Sequence, residues 1–164
     1  MRKLFGGSFL IALILVACQD ETATAPKTDA LSGTPVKNPG ITGTWKLISG
    51  TLIEKGDTTI TDYTSAKSFI KIINDTHFAF LLHDLKQGKD SSAVYSSGGG
   101  TYTLADSTYT EHLEYCSDRN WEGHDFPFTI TINNDTLTQQ GREKIEASGI
   151  DRLNIERYVR TGRP

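Results

Sequence analysis

Apolar and polar residues alternate with a period of two along much of this chain. Phe78, Phe80 and Leu82 alternate with His77, Ala79 and Leu81, and Phe126, Phe128, Ile130 and Ile132 share one face of a later run. That period belongs to strands with one buried face. The pattern predicts strands over residues 43–54, 66–73, 77–85, 91–104, 108–116, 126–132, 137–141 and 152–160. Turn residues separate them: Gly56-Asp57, Asn74-Asp75-Thr76, the charged stretch around Gly88, Ala105-Asp106-Ser107, and Asn133-Asn134-Asp135-Thr136, the strongest hairpin signal. Thr58 to Ser65 is polar and predicts a loop or a short helical turn. Ser117 to Asp125 predicts a loop. Arg142 to Ile150 predicts a short helix or an irregular excursion. Pro127 puts the start of its strand at an edge or a bulge. Gly98-Gly99-Gly100 predicts a bulge, a bend or a close backbone approach; no Lys-Ser or Lys-Thr pair follows, so it is not a phosphate loop. Short links and no long helix predict an all-β, antiparallel, up-and-down barrel of eight strands. A barrel of that size holds side chains or one small ligand.

The front end has a different pattern. Arg2 and Lys3 precede an apolar run from Phe9 to Val16, which is too short to cross a bilayer as a helix. Residues 1–17 read as an export signal. Leu15-Val16-Ala17-Cys18 resembles a bacterial lipobox. The resemblance implies cleavage before Cys18, a lipid on its thiol and acylation of the new amino group; the other reading is a plain signal peptide with a chance cysteine. Residues 18–38 have no hydrophobic periodicity and predict a flexible tether. Gln19-Asp20-Glu21 resembles the acidic surface-export signal of Bacteroidota lipoproteins, and is equally an ordinary polar linker. Residues 39–164 remain as one domain, enough for a single core.

The net charge is −3, and Arg2 and Lys3 fall in the segment expected to be removed. An acidic surface without a basic stripe argues against nucleic-acid partners. With Cys18 lipidated, Cys116 has no disulfide partner.

Gly43-Thr44-Trp45 opens the first strand, and it resembles the Gly-x-Trp motif at the start of lipocalins and other calycins. The resemblance extends over residues 43–160 to the lipocalin-like domains of bacterial lipoproteins. It implies that Trp45 plugs one end of the barrel and that an arginine of the last strand stacks on it. Arg157 and Arg160 are the two arginines in place; Arg157 is assigned to the plug and Arg160 to the pocket. The chain lacks the disulfide pair and the clear C-terminal helix of secreted eukaryotic lipocalins.

Tyr102, Glu111, Tyr115, Tyr158 and Arg160 alternate onto faces that could line the interior, giving a candidate ligand pocket. The alternative is that Glu111 and Arg160 only neutralise each other. His112, Glu114 and Cys116 share a face at spacing two, where adjacent members could share a metal; an outward polar face with a half-buried cysteine is the plainer reading. His77 and His83 read as surface residues. Glu111 and Glu114 point to opposite faces and cannot flank one bond. No nucleophile motif is present. Asp57-Thr58-Thr59 and Asp135-Thr136-Leu137 resemble Bacteroidota O-glycosylation sites, but both coincide with turns.

The expectation is therefore a monomeric, non-enzymatic lipoprotein without cofactor or metal. Cys18 would anchor it in an outer membrane, facing periplasm or cell surface. Its barrel would bind a small apolar or amphipathic ligand. The alternative is a structural or accessory lipoprotein that meets a protein or glycan through its outer loops, chiefly Trp121.

Overall fold

The structure, a computed structural model, describes residues 40–162. The export signal, the lipidation site Cys18 and the tether lie outside the described residues.

Nine strands run in chain order: β1 (Gly43–Glu54), β2 (Asp57–Asp62), β3 (Lys67–Ile73), β4 (His77–Asp84), β5 (Tyr95–Ala105), β6 (Thr108–Cys116), β7 (His124–Asn133), β8 (Thr136–Ile145) and β9 (Ile150–Thr161). Every neighbouring pair is antiparallel, and β1 pairs with β9 to close the sheet. Eight strands form the closed barrel. The ninth, β2, folds back on β1 as a hairpin: β1 gives residues 43–46 to β3 and residues 49–54 to β2 along the same edge. The expected loop at Thr58 to Ser65 is thus largely a strand. It is exposed on both faces, so alternation gave no sign of it. β5 begins at Tyr95, because Ser91 to Val94 belong to the preceding turn.

Two bulges set which residues face inward. On β1 the pairing with β9 shifts between Leu47 and Ser49, and the freed Ile48 carbonyl accepts from Tyr63 N at 3.1 Å. Trp45 and Leu47 face the core before the shift, and Gly50 and Leu52 line the interior after it. On β6 the pairing with β5 shifts at Gly99/Gly100, so that Gly99 meets Tyr115 while Gly100 meets Leu113. Glu114 is the extra residue. A side chain at Gly100 would run into the His112 carbonyl and Glu114 N, so only glycine admits this approach.

The core gathers at one end of the barrel. Trp45 is fully buried, and its Nε1 donates to the Ile41 carbonyl at 2.7 Å. Ile73, Phe78, Tyr109, Leu137 and Tyr158 are buried in the same cluster. Burying side chains of this size contributes roughly 1.5–3 kcal/mol each, which makes the plugged end the firmest part of the fold. At the other end, β7 pairs with β8 only from Thr129 onward, and β8 continues from Gly141 to Ile145 against β9 alone. Pro127 lies before that pairing starts, where its missing N–H costs nothing. The expected helix or excursion from Arg142 is therefore strand as far as Ile145, followed by a 3-10 turn at Glu146–Ser148.

Candidate functional site

The barrel interior is closed below and open above. Arg160 closes the lower end from the side: its guanidinium carbon lies 4.0 Å from the centre of the Trp45 ring. Its two terminal nitrogens donate to the Thr42 and Gly40 carbonyls, each at 2.6 Å. Arg157, assigned to this role from sequence, is exposed on the outer face. The interior face of β9 is its polar one, carrying Asn154, Glu156, Tyr158 and Arg160, whereas the apolar Leu153, Ile155 and Val159 alternate with it.

Above the plug sits an ionic floor. Lys71, from the middle of β3, is buried with a 3% exposed side chain. Its ammonium donates to Glu111 Oε1 at 2.6 Å and to Gln139 Oε1 at 3.1 Å, and lies 3.7 Å from Glu156 Oε2. It also lies over the Tyr158 ring, 5.3 Å from its centre. The Tyr158 hydroxyl donates to Glu156 Oε2 at 2.7 Å. Burial alone would lower the Lys71 pKa, but Glu111 and Glu156 together hold it above its ordinary value. Burial pushes the Glu111 carboxyl up against the pull of Lys71, and nearby Glu156 adds to that rise. One ammonium serves several carboxylates, so it is held firmly while they crowd each other. The Tyr109 hydroxyl is buried beside Glu111, and burial, with the Glu111 charge second, raises its pKa above the ordinary phenol value.

Over this floor lies a cavity of about 340 Å³. Phe69 and Phe80 form one wall, stacked with ring centres 5.7 Å apart. Leu113, Phe126 and Phe128 form the opposite wall. Higher on β8 and β9, Arg152 Nε donates to Glu143 Oε2 at 2.6 Å, and Asn154 Nδ2 donates to Glu143 Oε1 at 2.8 Å. Burial nevertheless raises the Glu143 pKa, with Arg152 opposing. Tyr63, Cys116, Asp118 and Trp121 ring the mouth. Trp121 is half-buried; its ring centre lies 5.5 Å from that of Phe126, with the Arg152 guanidinium 4.9 Å away. Burial pushes the Cys116 thiol up, away from the reactive thiolate form.

Of the five expected pocket residues, Glu111 lines the cavity. Tyr158 lies against the floor. Tyr102 belongs to the plugged end, where its hydroxyl donates to the Asn74 carbonyl at 2.8 Å and its ring packs on Tyr109. Arg160 belongs to the plug, so it does not pair with Glu111. Tyr115 is 68% exposed, because the β6 bulge turns it outward and brings Cys116 inward in its place. The same shift separates Cys116 from His112 and Glu114. His112 Nδ1 meets Asp125 Oδ1 at 2.8 Å, and Glu114 accepts from the Thr101 hydroxyl at 2.9 Å. Sequence reasoning missed Lys71, Gln139 and Glu143. A lysine at an inward position of an otherwise apolar strand, Phe69-x-Lys71-x-Ile73, was the available signal.

No protein-family model matches the chain, and no curated protein matches it in sequence. The closed eight-stranded antiparallel barrel is consistent with a lipocalin-like fold and compatible with ligand binding.

Proposed function

We propose that this protein is a lipid-anchored, non-enzymatic envelope protein whose barrel binds a small apolar or amphipathic ligand. The observation that carries the reading is the cavity itself, about 340 Å³ with aromatic walls and a few placed polar groups over a sealed floor. Ligand sites have this form, and the volume suits one small molecule. The anchor is Cys18, and the lipobox supports a bacterial lipoprotein, with the acidic Gln19-Asp20-Glu21 supporting a Bacteroidota source. The membrane is then the outer one, with the barrel in the periplasm or at the cell surface. Partner capture through Trp121 has less support, because Arg152 and Phe126 both pack on its ring.

Binding is tested by titrating the full chain in detergent with the uncharged fluorophore N-phenyl-1-naphthylamine and counting adducts by native mass spectrometry. Saturable binding of one molecule per chain is expected; emission that rises without saturation contradicts the reading. Metabolic labelling with a fatty-acid analogue tests the anchor. Label should appear on the wild type and vanish in Cys18→Ser.

A further inference from the structure

We propose that the cavity selects ligands whose polar end is a cationic amine, and disfavours carboxylate-ended compounds of the same shape. This rests on the reading that the cavity takes a ligand, and it names the chemistry of that ligand's charged end.

The charges lining the cavity are unbalanced. Two cations, Lys71 and Arg152, face four acidic groups, Glu111, Glu143, Glu156 and Asp118, and burial raises the pKa of Glu111 and Glu143, which leaves Glu156 and Asp118 to carry the excess negative charge. Both cations are already committed. Lys71 sits between Glu111 at 2.6 Å and Glu156 at 3.7 Å, with Gln139 as a third partner. Arg152 is engaged by Glu143 at 2.6 Å, and its guanidinium lies over Trp121. An entering carboxylate would have to displace one of these ion pairs and leave another carboxylate stranded.

The carboxylates are less well supplied. Glu156 shares the one ammonium with Glu111, at the longer distance, and otherwise accepts from the neutral Tyr158 hydroxyl. Asp118 at the mouth accepts from Asn120 N and Nδ2, which carry no charge. An entering ammonium therefore meets carboxylate oxygen at the floor and at the rim. Glu156 lies in the poorly screened interior, where such an imbalance acts strongly, whereas Asp118 is exposed and its pull is weakened by solvent. Phe69, Phe80 and Phe126 line the same cavity and supply an apolar wall for the rest of an amphipathic amine.

The test compares phenylbutylamine, phenylbutanol and phenylbutyrate, similar in size and differing in charge, each titrated against the full chain in detergent with native mass spectrometry as readout. The amine should bind at least about tenfold more tightly than the alcohol, and the carboxylate should bind weakest. Glu156→Gln, checked for wild-type thermal unfolding, should narrow the amine's advantage over the alcohol several-fold. Equal binding of all three overturns the charge preference and leaves the ligand reading standing, as does a preference for phenylbutyrate. Binding of none of the three, together with no saturable uptake of the uncharged fluorophore, overturns both.

Discussion

Lys71 and Glu111 meet at 2.6 Å inside the barrel, on strands β3 and β6, with Gln139 and Glu156 around the same ammonium. Among the described residues this is the most buried ion pair, and it divides a packed lower half from an open upper half. Removing one partner of a buried pair leaves the other charge uncompensated. Lys71→Met should therefore cost about 3–5 kcal/mol in chemical denaturation, while Lys71→Met with Glu111→Leu should recover much of that loss. A single substitution that cost under about 1 kcal/mol would show the pair to be solvated.

The raised Glu111 pKa gives a pH dependence of definite sign. In the folded state the carboxyl keeps its proton at pH values where the unfolded chain has lost it. Its contribution to stability therefore falls as pH rises from the ordinary glutamate range through the raised folded value. Glu111→Gln carries no such proton. Denaturation at about pH 5 and about pH 7 should show the variant gaining on the wild type at the higher pH. A difference that moved in the wild type's favour would mean that Lys71 holds Glu111 ionised throughout. Asp84 works oppositely: backbone N–H groups of Gly88, Val94 and Lys86 hold its carboxyl below the usual range. The turn it organises should loosen only as pH falls through that depressed value, seen as faster amide exchange at residues 86–94.

The plug separates two arginines that sequence left nearly equivalent. Arg160 stacks on Trp45 and donates to two carbonyls, so Arg160→Ala should cost about 2–4 kcal/mol. Arg157→Ala, at an exposed position, should stay within about 0.5 kcal/mol of the wild type. Equilibrium unfolding of the two variants side by side decides the matter, and equal costs would contradict the assignment.

Gly100 lets β5 approach the β6 bulge. Gly100→Ala places a methyl against the His112 carbonyl and should destabilise by about 1–3 kcal/mol or more. Because the bulge sets the facing of Tyr115 and Cys116, the variant should also change how fast Cys116 is alkylated, read by peptide mapping. Unchanged stability and unchanged alkylation together would show that the bulge does not depend on this glycine.

The fold was legible where one face of a strand is apolar. β4 and β7 alternate cleanly, and the hairpin at Asn133 to Thr136 forms as turn chemistry requires. Legibility failed where a strand has no apolar face or borders the cavity. β2 is exposed on both sides, and the upper part of β8 carries inward Glu143 where a packed core would hold leucine or valine. The site was less legible still. Side-chain parity decides which residues meet in a barrel, and one extra residue in β6 reversed it, sending Tyr115 out and Cys116 in. On β9 the face carrying Asn154, Glu156, Tyr158 and Arg160 turned inward, and sequence alone did not separate Arg160, which stacks on Trp45, from the exposed Arg157.

The central claim is that a ligand enters the barrel and does not merely coat its outside. The most direct measurement is photolabelling of the full chain with an uncharged alkyl diazirine, followed by peptide sequencing. The account predicts saturable adducts on cavity-lining residues, chiefly Phe69, Phe80, Leu113, Phe126 and Phe128, competed away by N-phenyl-1-naphthylamine. Adducts confined to exposed apolar residues of the outer face, such as Ile72, Leu81 and Tyr115, would contradict it.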